Sequence, residues 1–208
     1  MKKILITGAH SYIGTSVADY LARWPEKYAV DPLSVRGEKW KQADFSGYDA
    51  VFHVAGIAHA DVGHVSEERK AEYYAVNRDL TLAVAEKAKA DGVGQFLYMS
   101  SAIVYGDSAP IGKRKVITKD TPVAPANFYG DSKVQAEKGL KKLESDAFRV
   151  AVLRPPMIYG PGSKGNYPTL SKMARKLPLF PKVDNQRSML YVENLAECVR
   201  LLIEQGIG

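Results

Sequence analysis

The sequence predicts a doubly wound, parallel α/β sheet followed by a smaller, incomplete lobe at its C-terminal end. Three observations predict it. Up to Arg154, short apolar runs alternate with stretches of helical periodicity, the order that places parallel strands between helices. A glycine turn, from Gly8 to Gly14, joins the first run to the first helix. Beyond Arg154 the alternation stops, and Pro155, Pro156, Gly160, Pro161, Gly162, Pro178 and Pro181 punctuate the chain. The expected division is 1–154 and 155–208.

Residues 3–7 (KILIT) form a continuous apolar run, as a strand covered on both faces requires. Val17, Ala18 and Leu21 recur at helical spacing over 15–24, and Pro25 stops that helix. A strand is expected over 29–35, and another, fully buried, over 49–55 (DAVFHVA). A long helix spans 67–91, with Tyr74, Leu80, Val84 and Ala88 on one stripe and Gly92 and Gly94 ending it. A strand at 95–100 (QFLYMS), a helix at 133–143 and a strand at 148–153 (FRVAVL) complete the alternation. In the loop-rich tail, a short basic helix is expected near 170–176 and an amphipathic helix over 192–204.

Composition narrows the function classes. The chain has 208 residues, 46% hydrophobic and 25% charged, enough for one good core and a small appendage. Its one cysteine, Cys198, excludes a disulfide framework and suits a reducing compartment. The N-terminus enters a strand without the apolar segment of a secretory signal, so a cytoplasmic location is expected. No apolar run is long enough to span a bilayer, so no membrane partner is expected. The net charge of +6 comes from lysines interleaved with acids. That balance suits an anionic ligand. Nucleic acid is not expected, because helix-turn-helix and zinc spacings are missing. His53, His59, His64 and Asp61 lack the spacing of a zinc site, so no metal is expected.

The turn Thr7-Gly8-Ala9-His10-Ser11-Tyr12-Ile13-Gly14 lies between a predicted strand and a predicted helix. Glycines there let the backbone turn tightly and let a pyrophosphate approach the positive end of the helix. Gly8, His10, Ser11, Tyr12, Ile13 and Gly14 are therefore candidate cofactor residues. The tip of the second strand selects between dinucleotides. A strand over 29–35 puts Ser34 and Arg36 at its tip, which suits the 2′-phosphate of NADP. A shorter strand leaves Asp31 to take a ribose hydroxyl, which suits NAD.

Tyr129 and Lys133 are four residues apart. On a helix they share a face and can meet one substrate. A nearby ammonium, helped by an oxidised nicotinamide, stabilises a phenolate and lowers the phenol's ordinary titration point near pH 10. The phenol then serves as general acid or base near neutral pH. Upstream, Ser100 and Ser101 end the 95–100 strand, at the carboxyl end where such sheets bind ligands. They open the run Ser100-Ser101-Ala102-Ile103-Val104-Tyr105-Gly106.

Taken together these segments resemble the extended short-chain dehydrogenase/reductase family of NAD-dependent epimerases and dehydratases. The turn is similar to T-G-x-x-G-x-x-G, departing at Ser11, where the family has glycine. The serine run resembles S-S-x-x-V-Y-G. Arg154-Pro155-Pro156-Met157-Ile158-Tyr159-Gly160-Pro161-Gly162 resembles R-P-x-x-x-Y-G-P-G, with Met157 where many relatives carry asparagine. The resemblance implies a Rossmann-type fold with Ser101, Tyr129 and Lys133 catalytic. It implies that Val54, Ala55 and Gly56 pass under the nicotinamide ribose, that Ser100 and Pro156 border the cofactor, and that Asp44 and Phe45 contact adenine. It implies that Asn77 braces the active-site backbone. Ser101, Tyr105, Asn166 and Arg187 would contact the substrate, Arg187 by clamping a nucleotide diphosphate. Relatives commonly continue further, so residues 155–208 are expected to be a partial, truncated substrate lobe with a returning helix. A homodimer is common in the family.

The resemblance implies hydride transfer at a sugar carbon, most often C4. The tail looks most like capsule and surface-polysaccharide enzymes, which include epimerases and 4-ketoreductases of UDP-linked sugars. A dehydratase carries an Asp-Glu pair after the active-site serine or threonine. Ala102 and Ile103 stand there, and neither moves a proton. Arg36 slightly favours a reductase. A rival class is a catalytically silent, dinucleotide-binding redox sensor.

Overall fold

A computed structural model describes residues 1–8, 10–58, 65–110, 112–163, 166–179 and 186–208. Five strands, β1 (Lys2–Thr7), β2 (Tyr28–Leu33), β3 (Ala50–His53), β4 (Gln95–Met99) and β5 (Arg149–Leu153), form one sheet in the order β2-β1-β3-β4-β5. Every pairing in it is parallel. Side chains alternate along each strand. Ile4 and Ile6 therefore enter one hydrophobic cluster and Leu5 the other. The first cluster is closed by α1 (Tyr12–Leu21) and α6 (Val192–Gln205), through Val17, Leu21, Leu195 and Val199. The second is closed by α3 (Thr81–Ala90) and α4 (Phe128–Leu143), through Val84, Ala88, Ala136 and Leu140. Each fully buried Ile, Leu or Phe contributes about 1.5–3 kcal/mol, so these two layers hold the sheet. The last helix thus returns to the main sheet.

The chain runs from β1 outward to β2, then crosses back to place β3 on the other side of β1. Connections leave in opposite directions at this point and open a crevice at the carboxyl ends of β1 and β3. Gly8 follows β1 there, and Val54, Ala55 and Gly56 follow β3.

Several boundaries differ from those read in the sequence, each for a local reason. Helix α1 starts at Tyr12 because Ser11 caps it. Helix α4 starts at Phe128, not 133, because the Asn127 side chain accepts from the Gly130 N–H. The long helix expected over 67–91 is α2 (Glu67–Tyr74), a π-helical turn (Ala75–Leu80) and α3 in succession. Within that turn the Thr81 hydroxyl donates to the Asn77 carbonyl at 2.9 Å, competing with the backbone ladder. Strand β2 stops at Leu33, two residues before the expected end.

The tail carries more order than its punctuation suggested. Strands β6 (Met157–Tyr159) and β7 (Met189–Tyr191) pair in parallel, and α5 (Asn166–Lys176) lies between them in sequence. Residues so far apart in sequence leave no local periodicity to read. Among the described residues no helix is long and apolar enough to cross a membrane. No group of three metal-ligating side chains is found among them either.

Candidate active site

The floor of the crevice is bare backbone. Gly8 leaves β1 with φ +104°, and a Cβ there would lie 2.8 Å from the Ala55 nitrogen. Only glycine allows that approach in that conformation. Ser11 adopts extended backbone (φ −77°, ψ 145°), and its Oγ accepts from the Gly14 N–H at 2.9 Å. The serine that departs from the family pattern is therefore a helix cap free of backbone strain. A Cβ on Gly14 would lie 2.7 Å from that Oγ. The N–H groups of Tyr12 and Ile13, in the first helical positions, have no acceptor within the helix. They and the helix dipole suit a pyrophosphate, the part common to both nicotinamide dinucleotides. His10 is exposed beside this floor. Tyr12 turns away from it, with its hydroxyl buried against Gly160.

The Asn127 cap puts Tyr129 in the first turn of α4 and Lys133 one turn later. Gly130 presses that turn onto the preceding loop, since a Cβ there would lie 3.0 Å from both the Ile103 oxygen and the Pro125 Cβ. This brings Tyr129 up to Ser101. Ser101 is partly exposed after β4 and caps the 3-10 turn Ala102–Tyr105 by accepting from the Ile103 N–H at 3.3 Å. Burial raises the phenol of Tyr129 above its ordinary value, and the Ser101 hydroxyl partly offsets this.

Lys133 was expected to lower that phenol together with an oxidised nicotinamide. Its ammonium donates to the Met99 carbonyl at 3.0 Å and lies 4.9 Å from the centre of the Tyr98 ring. A Cβ on Gly56 would lie 3.2 Å from its Nζ, so it also sits under the loop after β3. Burial lowers Lys133 to about 8, against the pull of the Glu137 carboxylate.

Asn77, fully buried in the π-helical turn, ties these parts together. Its Oδ1 accepts from the Ile57 N–H at 2.8 Å, and its Nδ2 donates to the Ile57 carbonyl and the Ser132 hydroxyl, both at 3.1 Å. Ser132 in turn donates to the Tyr129 carbonyl at 2.8 Å. His53, weighed above only against a zinc site, is a buried strut. The Thr81 proton goes to the Asn77 carbonyl, so His53 Nε2 carries the hydrogen it shares with Thr81 at 3.0 Å. Its Nδ1 therefore accepts from the Thr7 hydroxyl at 2.7 Å. Burial, and then the Lys133 charge, lower the ring to about 3 and keep it neutral.

Sequence reasoning missed Glu137, one turn beyond Lys133 on the same face. Its carboxylate is buried and accepts from Arg154 Nη2 at 2.6 Å and Nε at 3.1 Å. It also accepts from the Ser100 hydroxyl. Ser100, expected beside the cofactor, thus turns its hydroxyl inward and leaves Ser101 as the partly exposed member of the pair. Arg154 also donates to the Tyr105 hydroxyl at 2.8 Å, and its partners hold it charged more firmly than usual. The signal was available: Tyr129, Lys133 and Glu137 repeat every four residues.

The remaining candidates are scattered. Ser34 and Arg36 are exposed just past β2, where the Gly8 N–H donates to the Leu33 carbonyl at 3.0 Å. Asp31 lies within the strand, and its carboxylate accepts from the Tyr48 hydroxyl at 2.9 Å. Phe45 is wholly inside the core and its N–H donates to Asp91 at 3.0 Å, while Asp44 accepts from the Ser46 N–H at 2.8 Å. The Phe45 ring packs inside the core. Pro156 is half-buried between β5 and β6. Arg187 is exposed just before β7, and Asn166 opens α5. His59, Asp61 and His64 lie outside the described residues.

Residues 4–207 match the NAD dependent epimerase/dehydratase family. The UDP-glucose 4-epimerase of Vibrio cholerae is 31% identical over 226 residues, which cover 98% of this chain and 67% of that protein. The N-acetyl-alpha-D-glucosaminyl-diphospho-ditrans,octacis-undecaprenol 4-epimerase of Escherichia coli O157:H7 is 28% identical, over 95% of this chain and 62% of its own length. Among solved structures, UDP-glucuronic acid 4-epimerase from Bacillus cereus, in complex with UDP-glucuronic acid and NAD, is similar with a TM-score of 0.77. It is 20% identical, covering 97% of this chain and 73% of that one.

Proposed function

Because the chain belongs to the NAD-dependent epimerase/dehydratase family, as an extended short-chain dehydrogenase/reductase, we propose that it moves hydride and proton at C4 of a UDP-linked hexose, as a 4-epimerase. The observation that carries this reading is the arrangement of Ser101, Tyr129 and Lys133 on the rim of the crevice whose floor is Gly8 and the start of α1.

The residues fit a nicotinamide dinucleotide. A Cβ would fill the cradle at Gly8, and the first N–H groups of α1 face an anion. When bound, such a cofactor accepts and returns hydride. Tyr129, as the phenolate, would take the proton of the C4 hydroxyl as hydride leaves and, as the phenol, return it as hydride comes back. Burial raises the phenol, so positive charge in the site must favour the phenolate. Ser101 hydrogen-bonds that same oxygen and fixes its distance from the phenol. Lys133 supplies positive charge beneath the 54–56 loop. Asn77 and Ser132 hold the Tyr129 backbone while the proton moves. Ala102 and Ile103 supply no further acid or base, so dehydration is not supported. Arg187 is assigned to the substrate diphosphate, with Tyr105 and Asn166 toward the sugar. Residues 155–208 are assigned to the substrate side, apart from the return of α6 to the sheet.

A second reading, 4-ketoreduction, is favoured by Ser34 and Arg36. They flank the strand tip while Asp31 is held by Tyr48, which supports NADP over NAD. A polysaccharide precursor is the substrate class the tail suggests, and the 4-epimerase of Escherichia coli O157:H7 acts on such a lipid-linked sugar by its name.

The test is incubation with UDP-glucose, UDP-N-acetylglucosamine or a UDP-4-keto sugar, with NAD, NADP or NADPH. Proton NMR of the sugar is followed together with cofactor absorbance. Epimer formation without net cofactor change supports the first reading, and stoichiometric NADPH loss supports the second. Tyr129→Phe should abolish either while dinucleotide affinity stays within about twofold of wild type. Dinucleotide binding without turnover of any sugar nucleotide would return the chain to the class of redox sensors.

A further inference from the structure

Lys133 and Glu137 lie one turn apart on α4, and Arg154, from the end of β5, pairs with Glu137. Lys133 is 5% exposed and Glu137 8% exposed. A lysine taken out of water is costly to keep charged unless an anion is buried near it. Among the described residues, Glu137 is the one buried carboxylate, one turn from Lys133 on α4. Its carboxylate takes Arg154 through Nε and Nη2, and takes the Ser100 hydroxyl.

The groups that face Lys133 come from every element around it. From β3 comes His53, neutral. From β4 come the Tyr98 ring and the Met99 carbonyl. From the π-helical turn comes Asn77, near Gly56. Beyond Glu137, from the end of β5, comes Arg154, cationic. On α4 itself are Tyr129 and Glu137, while Asp131 is turned toward Tyr74 and Gln135. Glu137 is the negative charge of this set.

We propose that Glu137 is a positioning residue, the buried counter-ion that keeps Lys133 an ammonium and holds the end of β4, with Ser101, in register with Tyr129. Bonds from one carboxylate to Ser100 and Arg154 join α4 to the ends of β4 and β5 at the carboxyl edge of the sheet. Ser101 directly follows the serine that Glu137 holds. The opposing effects on Lys133, burial downward and Glu137 upward, agree with this arrangement. Arg154 cannot lose its proton. A neutral residue at 137 would therefore leave Lys133 buried without a carboxylate and Arg154 without its anion.

The catalytic meaning rests on the role proposed above for Tyr129 and Lys133, but the charge state can be read without turnover. In protein labelled with 13C,15N-lysine, the Lys133 side-chain resonance is assigned by its loss in Lys133→Arg and followed through pH. Glu137→Gln should lower its titration by about one pH unit or more, and Glu137→Asp should restore most of it. Should Glu137→Gln fail to fold, the pair E137Q/R154M removes both charges together and should still leave Lys133 below wild type. An unmoved Lys133 titration in either folded protein overturns the proposal. The alkaline limb of kcat should move in E137Q by the same amount. A limb that stays put while Lys133 shifts overturns the positioning role. A Lys133 shift in a protein without sugar-nucleotide turnover upholds the counter-ion and rejects the enzymatic reading instead.

Discussion

Lys133 donates its ammonium to the main-chain oxygen of Met99, 3.0 Å away at the end of β4. The bond holds the charge beneath the loop after β3, where a Cβ on Gly56 would lie 3.2 Å from Nζ. It also keeps a titratable group in an apolar site, where burial lowers Lys133 to about 8.

A rate dependence follows. The ammonium is present below about pH 8 and lost above it. Turnover that uses this charge should therefore have an alkaline limb near that value, well below the ordinary lysine range. Lys133→Arg keeps a charge that does not titrate, so its residual rate should lack that limb. The profile of kcat between neutral and strongly alkaline pH checks both, and an arginine variant with the wild-type limb would assign the limb elsewhere.

His53 governs a different pH range. The folded protein holds the ring neutral down to about pH 3, whereas an unfolded histidine titrates near its ordinary 6.5. Between these values the unfolded chain binds a proton that the folded one refuses. Stability should therefore fall as pH drops below 6.5, with a slope approaching about 1.4 kcal/mol per pH unit. Carboxylates join in lower down, so the interval from about pH 6.5 to 5 isolates the histidine. Urea melts of wild type and His53→Gln should show the variant less stable but flatter across that interval, and equal slopes would exclude the ring as the cause.

These two groups also mark how much was legible beforehand. The sheet could be read because each strand is a local apolar run. Tyr129, Lys133 and Ser101 could be read because their spacing and strand-end position are local as well. The partners of His53 could not, since Thr7 and Thr81 lie 46 and 28 residues away. Glu137 repeats the spacing of Tyr129 and Lys133, yet its purpose depends on Arg154 arriving from β5. Ser11 looked like a defect in a glycine motif until its hydroxyl was found capping α1. The pairing of β6 with β7 joins segments separated by α5, which no periodicity reveals.

Gly8 tests the floor of the crevice. Alanine there must hold φ near +104° and place its Cβ 2.8 Å from the Ala55 nitrogen, against backbone that cannot swing aside. The expected result of Gly8→Ala is a loss of dinucleotide affinity of about tenfold or more, with a positive-φ strain of about 1–3 kcal/mol in stability. Calorimetry with NAD and NADP measures the first and thermal melting the second. Wild-type affinity would place the dinucleotide away from this turn.

Asn77 tests the brace behind the phenol. Its amide both accepts from the Ile57 N–H and donates to the Ile57 carbonyl and to Ser132, which then holds the Tyr129 carbonyl. Alanine leaves those groups without partners in a site fully closed to water, at a cost of about 1–3 kcal/mol each for the buried ones. A chain of this size loses about 2–4 °C of Tm per kcal/mol, so Asn77→Ala should melt several degrees lower and bind dinucleotide more weakly through the freed 54–57 loop. Aspartate separates shape from hydrogen bonding, because an ionised carboxylate keeps the acceptor but repels the Ile57 carbonyl it must face. Asn77→Asp should therefore be less stable than wild type at neutral pH and regain part of the difference in mild acid, where the buried carboxyl takes up a proton and can donate again. Wild-type stability of Asn77→Asp at pH 7 would show that the two amide donors contribute nothing, and that the loop is held by packing alone.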